Sequence, residues 1–232
     1  MDIPASGYFV TGTDTGVGKT LVACGLLHEL GRRGLRVVGM KPVAAGCRTT
    51  PQGLRNDDAE RLLAAGVLDV PYPRVNHYAF EEAIAPHIAA RDMGVEIAID
   101  GIRAAFRALA AEAECVIVEG IGGFEVPLGE VETGADLAVA LDLPVILVVG
   151  MRLGCLNHAL LTHQAIRARG LPCAGWVANG IDPHMARLQE NIDSLRLRLD
   201  APLLGVLPSL PTTEPAAAAG YLELGPLLQG RF

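Results

Sequence analysis

Six short, almost unbroken apolar runs constrain this chain more than any other feature: GYFVTG (7–12), RVVGMKPV (36–43), CVIVEG (115–120), PVILVVG (144–150), AGWVANG (174–180) and APLLGVLP (201–208). A strand with one wet face alternates apolar and polar residues, whereas a continuous run is buried on both faces. Helix-like segments separate the runs, at 19–33 (closed by Gly34), 96–113, 155–170 and 184–199. A shorter helix is expected from the capping cluster Asn56-Asp57-Asp58, and another in GADLAVALD. Residues 70–94 carry Pro71, Pro73 and Pro86 and read as irregular. Strand–helix alternation requires parallel crossovers, so the expected fold class is α/β, a doubly wound, mainly parallel sheet with helices on both faces. No repeat, linker or composition break divides residues 1–232, which read as a single domain.

Composition narrows the function. Half of the residues are hydrophobic and only 4% aromatic, which suits a sheet covered by small-residue helices. The net charge of −7 and the lack of a basic run exclude a nucleic-acid surface. The stretch LAVALDLPVILVVG is broken by Asp142 and Pro144 and is too short to span a bilayer, so no membrane association is expected. MDIPASGYFV lacks the features of a secretory signal, and the five cysteines are scattered without metal-ligand spacing. These readings point to a reducing, cytoplasmic setting.

In such a sheet, ligands bind beyond the carboxyl ends of the strands. Six places follow from that rule: Gly12 to Thr20, Lys41, Glu119, Gly154 to Asn157, Asn179, and Pro208 to Leu210. The first is a glycine loop, GTDTGVGKT, running from a strand into a helix. That geometry aims backbone N–H groups and the helix dipole at phosphates. Lys19 is placed to neutralise phosphate charge, and the Thr20 hydroxyl to meet Mg²⁺. Yet the usual G-x-x-x-x-G-K-[ST] spacing puts Thr13 where its first glycine belongs, because Gly12 comes one residue early. The expansion keeps the amides and the lysine and moves only the loop's entry.

Glu119 follows CVIV directly, at a strand end beside glycines, where a metal carboxylate belongs. Asp58 is a second candidate, although its neighbours also cap a helix. Lys41 closes the second strand and faces the phosphates from the side opposite Lys19. In RLGCLNHALLTHQ (152–164), free N–H groups at the helix start suit a carboxylate. No base accompanies Cys155, so it does not read as a nucleophile. His158 and His163 read as packing or surface residues.

Together these pieces resemble the dethiobiotin synthetase family, ATP-dependent ring-closing enzymes. The resemblance rests on YFVTGTDTGVGKT, KPVAAG, GLRNDDA, PHIAA, VEGIGG, LPVILVVGMRLGCLNHALLT, AGWVANG and APLLGVLP. The expanded loop is characteristic of that family and explains the spacing. The resemblance implies a P-loop NTPase-like fold, with Lys41 and Lys19 catalytic. It puts the nucleotide on Gly16, Val17, Gly18, Lys19, Thr20, Leu21, Asp58, Glu119, Gly120, Ile121 and Gly122. The adenine falls to Asn179, Gly180, Pro208, Ser209 and Leu210, and Mg²⁺ to Thr20, Asp58 and Glu119. Thr15, Ala45, Gly154, Cys155 and Asn157 are implied to hold the substrate, across a homodimer interface. The implied substrates are 7,8-diaminononanoate, CO₂ and ATP.

One position departs from the family pattern: Ala45 stands where a hydroxyl residue is frequent, leaving a backbone amide at Ala45 or Gly46 as its substitute. Two other readings share the fold class. A ParA/MinD-like switch ATPase would carry a second lysine before the loop's glycines, and its membrane-bound forms a basic tail. This loop has no such lysine, and the tail AAAAGYLELGPLLQGRF is poor in basic residues. An amide-forming relative of the cobyrinic acid diamide synthase type would need an ammonia-supplying domain.

Overall fold

The computed structural model describes residues 7–210 and 214–229. The first six residues, read above for a secretory signal, and the last three of the tail lie outside the described residues.

Strand β1 (Gly7–Gly12) runs through the glycine loop into α1 (Lys19–Arg32). After β2 (Val37–Met40) the chain forms β3 (Val43–Ala44) and a hairpin of β4 (Arg48–Thr50) and β5 (Gly53–Arg55). Helix α2 (Asp57–Ala65) leads to α3 (Tyr72–Val75), β6 (Tyr78–Ala79) and α4 (Pro86–Asp92). Strictly alternating elements follow: α5 (Ile99–Ala110), β7 (Cys115–Glu119), α6 (Gly134–Leu141), β8 (Val145–Gly150) and α7 (Cys155–Ala168). The series ends with β9 (Cys173–Asn179), α8 (Leu188–Arg196), β10 (Leu203–Leu207), α9 (Pro215–Ala219) and α10 (Gly225–Gln229).

The expected sheet is present. Six parallel strands lie in the order β10-β9-β8-β1-β7-β2, and two small pairs, β3–β6 and β4–β5, stand apart from it. Successive side chains of each strand enter opposite apolar layers. Tyr8 and Val10, Cys115 and Ile117, and Ile146 and Val148 face one layer, with α1, α9 and α10. Phe9, Val116 and Val118, and Leu147 and Val149 face the other, with α5, α6, α7 and α8. Each fully buried Val, Leu or Ile contributes about 1.5–3 kcal/mol, so a slip of one residue, which exchanges the faces, is strongly disfavoured. The two layers thereby fix where each strand stops. Register then sets Val10 opposite Glu119 and Met40 opposite Val118, which brings Lys41, Glu119 and the glycine loop to one edge. Strand β1, flanked by β7 and β8, stands where the chain's crossovers diverge, the place such sheets bind ligands.

Three expectations shift at their boundaries. The second strand stops at Met40, because Pro42 has no N–H for a ladder and the Lys41 amide donates to the Val75 carbonyl (2.8 Å). Helix α5 starts at Ile99, since the Ala98 amide is taken by the Tyr78 hydroxyl (3.1 Å). Helix α8 starts at Leu188, because Asp182 accepts the His184 amide (2.9 Å) in a side-chain turn and Arg187 is left-handed. The stretch 70–94 is more ordered than its prolines suggested. It pairs with the segment after β2, through Tyr78 to Pro42, Phe80 to Ala44, Cys47 to Phe80 and Gly46 to Glu82. Such nonlocal pairing leaves no period in the sequence.

Candidate active site

The glycine loop is braced from two neighbouring strands. The Thr13 amide donates to the Val148 carbonyl (3.0 Å), and Asn179 Nδ2 donates to the Val17 carbonyl (2.8 Å). Gly18 is left-handed (φ 91°), and a Cβ there would lie 2.1 Å from Asn179 Nδ2, so only glycine serves. It also begins α1, whose first turn has neither a side-chain cap nor an acidic residue. The free N–H groups and the positive end of the helix are therefore left for an anion. Lys19 Nζ arches over the loop to the Asp14 carbonyl (3.0 Å). Burial first, then the nearby Lys41 charge, lowers its pKa to about 8 against the opposing pull of Glu119, Asp58 and Asp14.

Beside the loop stand the two strand-end residues singled out in the sequence. Lys41 is 4% exposed and Glu119 1%. Lys41 Nζ donates to Glu119 Oε1 (2.5 Å) and to the Gly120 carbonyl (3.3 Å), and lies 3.4 Å from Asp58 Oδ2. Burial alone would lower the pKa of Lys41. The charges of Glu119 and Asp58, and the hydrogen bonds to them, outweigh it and raise the group above an ordinary lysine. Lys41 is thus held as an ammonium in a water-poor place. The Thr20 hydroxyl donates to the same Glu119 Oε1 (3.0 Å), whereas Glu119 Oε2 is buried without a partner.

That donor set fits Mg²⁺. The ion takes one or two carboxylates and a hydroxyl, completing its octahedron with phosphate oxygens and water. An orphaned buried carboxylate oxygen is what such an ion would satisfy. Among the described residues no group of three or more His, Cys, Asp or Glu gathers as a metal centre.

The remaining candidates fall at three further points of the same edge. Asn179, Gly180 and Pro208 to Leu210 come together, with the Gly180 amide on the Leu207 carbonyl (2.8 Å) and Gly180 packed against Ser209. Thr15 lies against Gly122, whose own φ is positive, and Ile121 joins them half-buried. Gly154 (φ 95°) opens α7, again with no side-chain cap and no acid in the first turn. Gly154 and Asn157 are exposed, while Cys155 is buried in the core. Arg152, just before this helix, pairs with Asp14 of the glycine loop (2.5 Å). That link between the two anion-ready helix starts carries no signal in the sequence.

Ala45 is half-buried, and its carbonyl accepts from Asn56 Nδ2 (3.4 Å). The Gly46 amide, one of the two proposed substitutes for the missing hydroxyl, is committed to the Glu82 carbonyl (3.0 Å). It is therefore not available to a substrate. Two polar residues of the segment once read as irregular, Tyr72 and Asn76, reach the backbone of Asn56 and Lys41. Their i, i+4 spacing, from the first residue of α3 to its C-cap, is the only trace they leave in the sequence.

Fold and site together define a nucleotide-binding α/β protein of the P-loop class. A family model described as an AAA domain matches residues 6–217. In three dimensions the chain is similar to a ParA family ATPase from Chlorobium tepidum TLS (TM-score 0.57, 13% identity, 93% of this chain and 90% of that one). It is also similar to the septum site-determining protein MinD of Pyrococcus horikoshii OT3, solved with Mg-ADP (TM-score 0.53, 17% identity, 93% and 87%). At such identities the likeness shows the fold alone. Sequence relatives are far nearer. The ATP-dependent dethiobiotin synthetase of Aromatoleum aromaticum is 56% identical, over 94% of this chain and 96% of its own. That of Pseudomonas aeruginosa (strain UCBPP-PA14) is 53% identical, over 95% and 97%. The chain belongs to the dethiobiotin synthetase family.

Proposed function

We propose that this chain closes the ureido ring of dethiobiotin from 7,8-diaminononanoate, CO₂ and ATP, releasing ADP and phosphate. The observation that carries the reading is the buried Lys41 ammonium, held between Glu119 and Asp58 beside a phosphate loop. One amine of the substrate captures CO₂ as a carbamate, a poor electrophile. The carbamate oxygen attacks the γ-phosphorus of ATP, and the bond from that phosphorus to the bridging oxygen of ADP breaks. The product is a mixed carbamic-phosphoric anhydride. The second amine then attacks the carbamoyl carbon, phosphate leaves with the carbon–oxygen bond, and the ring closes as that amine loses a proton.

Phosphoryl transfer depends on positioning and charge neutralisation more than on covalent chemistry of the protein. Lys19 and the amides of Gly16 to Thr20 orient the β- and γ-phosphates. Lys41 approaches from the opposite side, where charge builds on the transferred group. Thr20, Asp58 and Glu119 would hold Mg²⁺, which when bound supplies further positive charge at the phosphate oxygens. Asn179, Gly180 and the 208–210 turn take the adenine. The open start of α7 receives the substrate carboxylate, with a second copy of the chain completing the site. Leu153, 97% exposed beside that helix start, supports such a covered surface. We read the chain as one P-loop NTPase-like domain acting in the cytoplasm. No helix among the described residues is long and apolar enough to cross a membrane.

The test is phosphate release from Mg·ATP and bicarbonate, with and without the diamine, with the product followed by mass spectrometry. Diamine-dependent release, and a product mass of diamine plus CO₂ minus water, is the expected result. Slow hydrolysis indifferent to the diamine would remove the assignment. Lys41→Ala is expected to lower turnover by about 100-fold or more while leaving nucleotide affinity within a few-fold. Near-normal turnover in that variant would refute the role given to Lys41.

A further inference from the structure

The segment from α3 to β6 contributes no residue to the proposed ligand contacts, yet it carries a continuous hydrogen-bonded relay between two parts of the site. The Asn56 amide donates to the Tyr72 hydroxyl (2.8 Å), which donates to Asn76 Oδ1 (3.0 Å). Asn76 Nδ2 donates in turn to the carbonyls of Lys41 (2.8 Å) and Tyr78 (3.0 Å). Every hydrogen of the phenol and of the side-chain amide is used, so each link orients the next. Asn56, Tyr72 and Asn76 are all buried, and a broken link strands a polar group away from water.

Both ends of the relay are attached to the site. Asn56 caps α2, its Oδ1 accepting the amides of Asp58 (3.1 Å) and Ala59 (3.2 Å). Lys41 is gripped on both sides, its carbonyl by Asn76 and its amide by the Val75 carbonyl (2.8 Å). The Arg55 guanidinium covers the Tyr72 ring at 4.0 Å and closes the relay from outside.

We propose that Tyr72 and Asn76 are positioning residues that fix the Lys41 ammonium against the Asp58 carboxylate. The inference rests on the roles proposed above for Lys41 and Asp58. Those two groups come from different elements, a strand end and a helix start, and the relay joins the backbone of one to the backbone of the other. Rates of phosphoryl transfer respond to misplacement of this kind, with about 1 Å worth up to roughly 100-fold.

Tyr72→Phe keeps the ring and removes the link. The expected signature is a kcat reduced by about tenfold with the KM for ATP within twofold. The Mg²⁺ concentration for half-maximal turnover should rise several-fold, because Asp58 no longer sits where the ion needs it. Tyr78→Phe is the matched control. Its hydroxyl also receives one backbone amide, from Ala98, but is not wired to Lys41 or Asp58. It should lose comparable thermal stability with kcat and Mg²⁺ dependence unchanged. Asn76→Ser interrupts the relay independently and should repeat the signature of Tyr72→Phe. An unchanged kcat and Mg²⁺ requirement in both relay variants would overturn the proposal, as would Tyr78→Phe reproducing their effects. Lys41→Ala, measured in parallel, separates the two levels. If it stays active, the underlying role fails; if it is inactive while the relay variants match wild type, only the relay fails.

Discussion

Two pairs of helix starts in this protein are built in opposite ways. At α2, Asn56 accepts two backbone amides, and three acidic residues, Asp57, Asp58 and Glu60, fill the first turn. At α6, Thr133 and Asp136 form a reciprocal capping box. By contrast, α1 and α7 start at left-handed glycines, with no side-chain cap and no acid in the first turn. Among the described helices of eight residues or more, these two alone lack both devices. A cap contributes about 1 kcal/mol, so leaving two long helices open forgoes stability. What the difference teaches is where the protein expects negative charge from outside. The open pair matches the two anionic groups of the proposed reaction, the triphosphate and the substrate carboxylate. The closed pair satisfies itself.

The comparison can be broken most severely at α1. Gly18→Ala puts a methyl group onto Asn179 and forces a left-handed alanine, so the amides of the loop should no longer converge. Turnover is expected to fall by about 100-fold or more, as when a charge-stabilising donor is lost, with weakened nucleotide binding seen by calorimetry. Wild-type binding would show that the loop tolerates repacking and that its openness is incidental.

A subtler break gives α7 the acid it lacks. Asn157→Asp should stabilise the isolated helix start slightly, by about 0.3–1 kcal/mol, yet raise the KM for the diamine roughly tenfold through like-charge repulsion. A KM that does not change would detach α7 from the substrate carboxylate.

The closed pair provides the smaller effects. Thr133→Ala and Asn56→Ala should each cost about 1 kcal/mol, a fall of about 2–4 °C in Tm for a chain of this size. Only the second should also reduce turnover, by a few-fold, because α2 carries Asp58. Equal activity in the two variants would mean that the start of α2 is structural alone.

How much of this was legible in the sequence varies with the range of the interactions. The six strands were readable because burial on both faces leaves a continuous apolar run. The cap at Asn56 was readable because capping is a property of adjacent residues. The meeting of Lys41 with Glu119 depends on strand order, which no local pattern states; only their positions after apolar runs hinted that they share an edge. The brace at 72–82 was missed because two-residue strands have no period and most of its partners lie more than 30 positions away, as Lys41 does from Asn76. At Ala45 the departure from the family pattern was visible, but not that the neighbouring Gly46 amide was already engaged.

The loop, its lysine partner and the carboxylate they share are far apart along the chain: Thr20 and Glu119 by 99 positions, Lys41 and Glu119 by 78, and Val17 and Asn179 by 162. During synthesis the phosphate loop therefore emerges long before the strands that brace it. Contacts of such sequence separation form slowly, after their loop-closure entropy has been met. Nucleotide capture should accordingly be among the last properties a refolding chain acquires. A fluorescent ATP analogue would then report completion of the whole sheet rather than the formation of its first strand and helix.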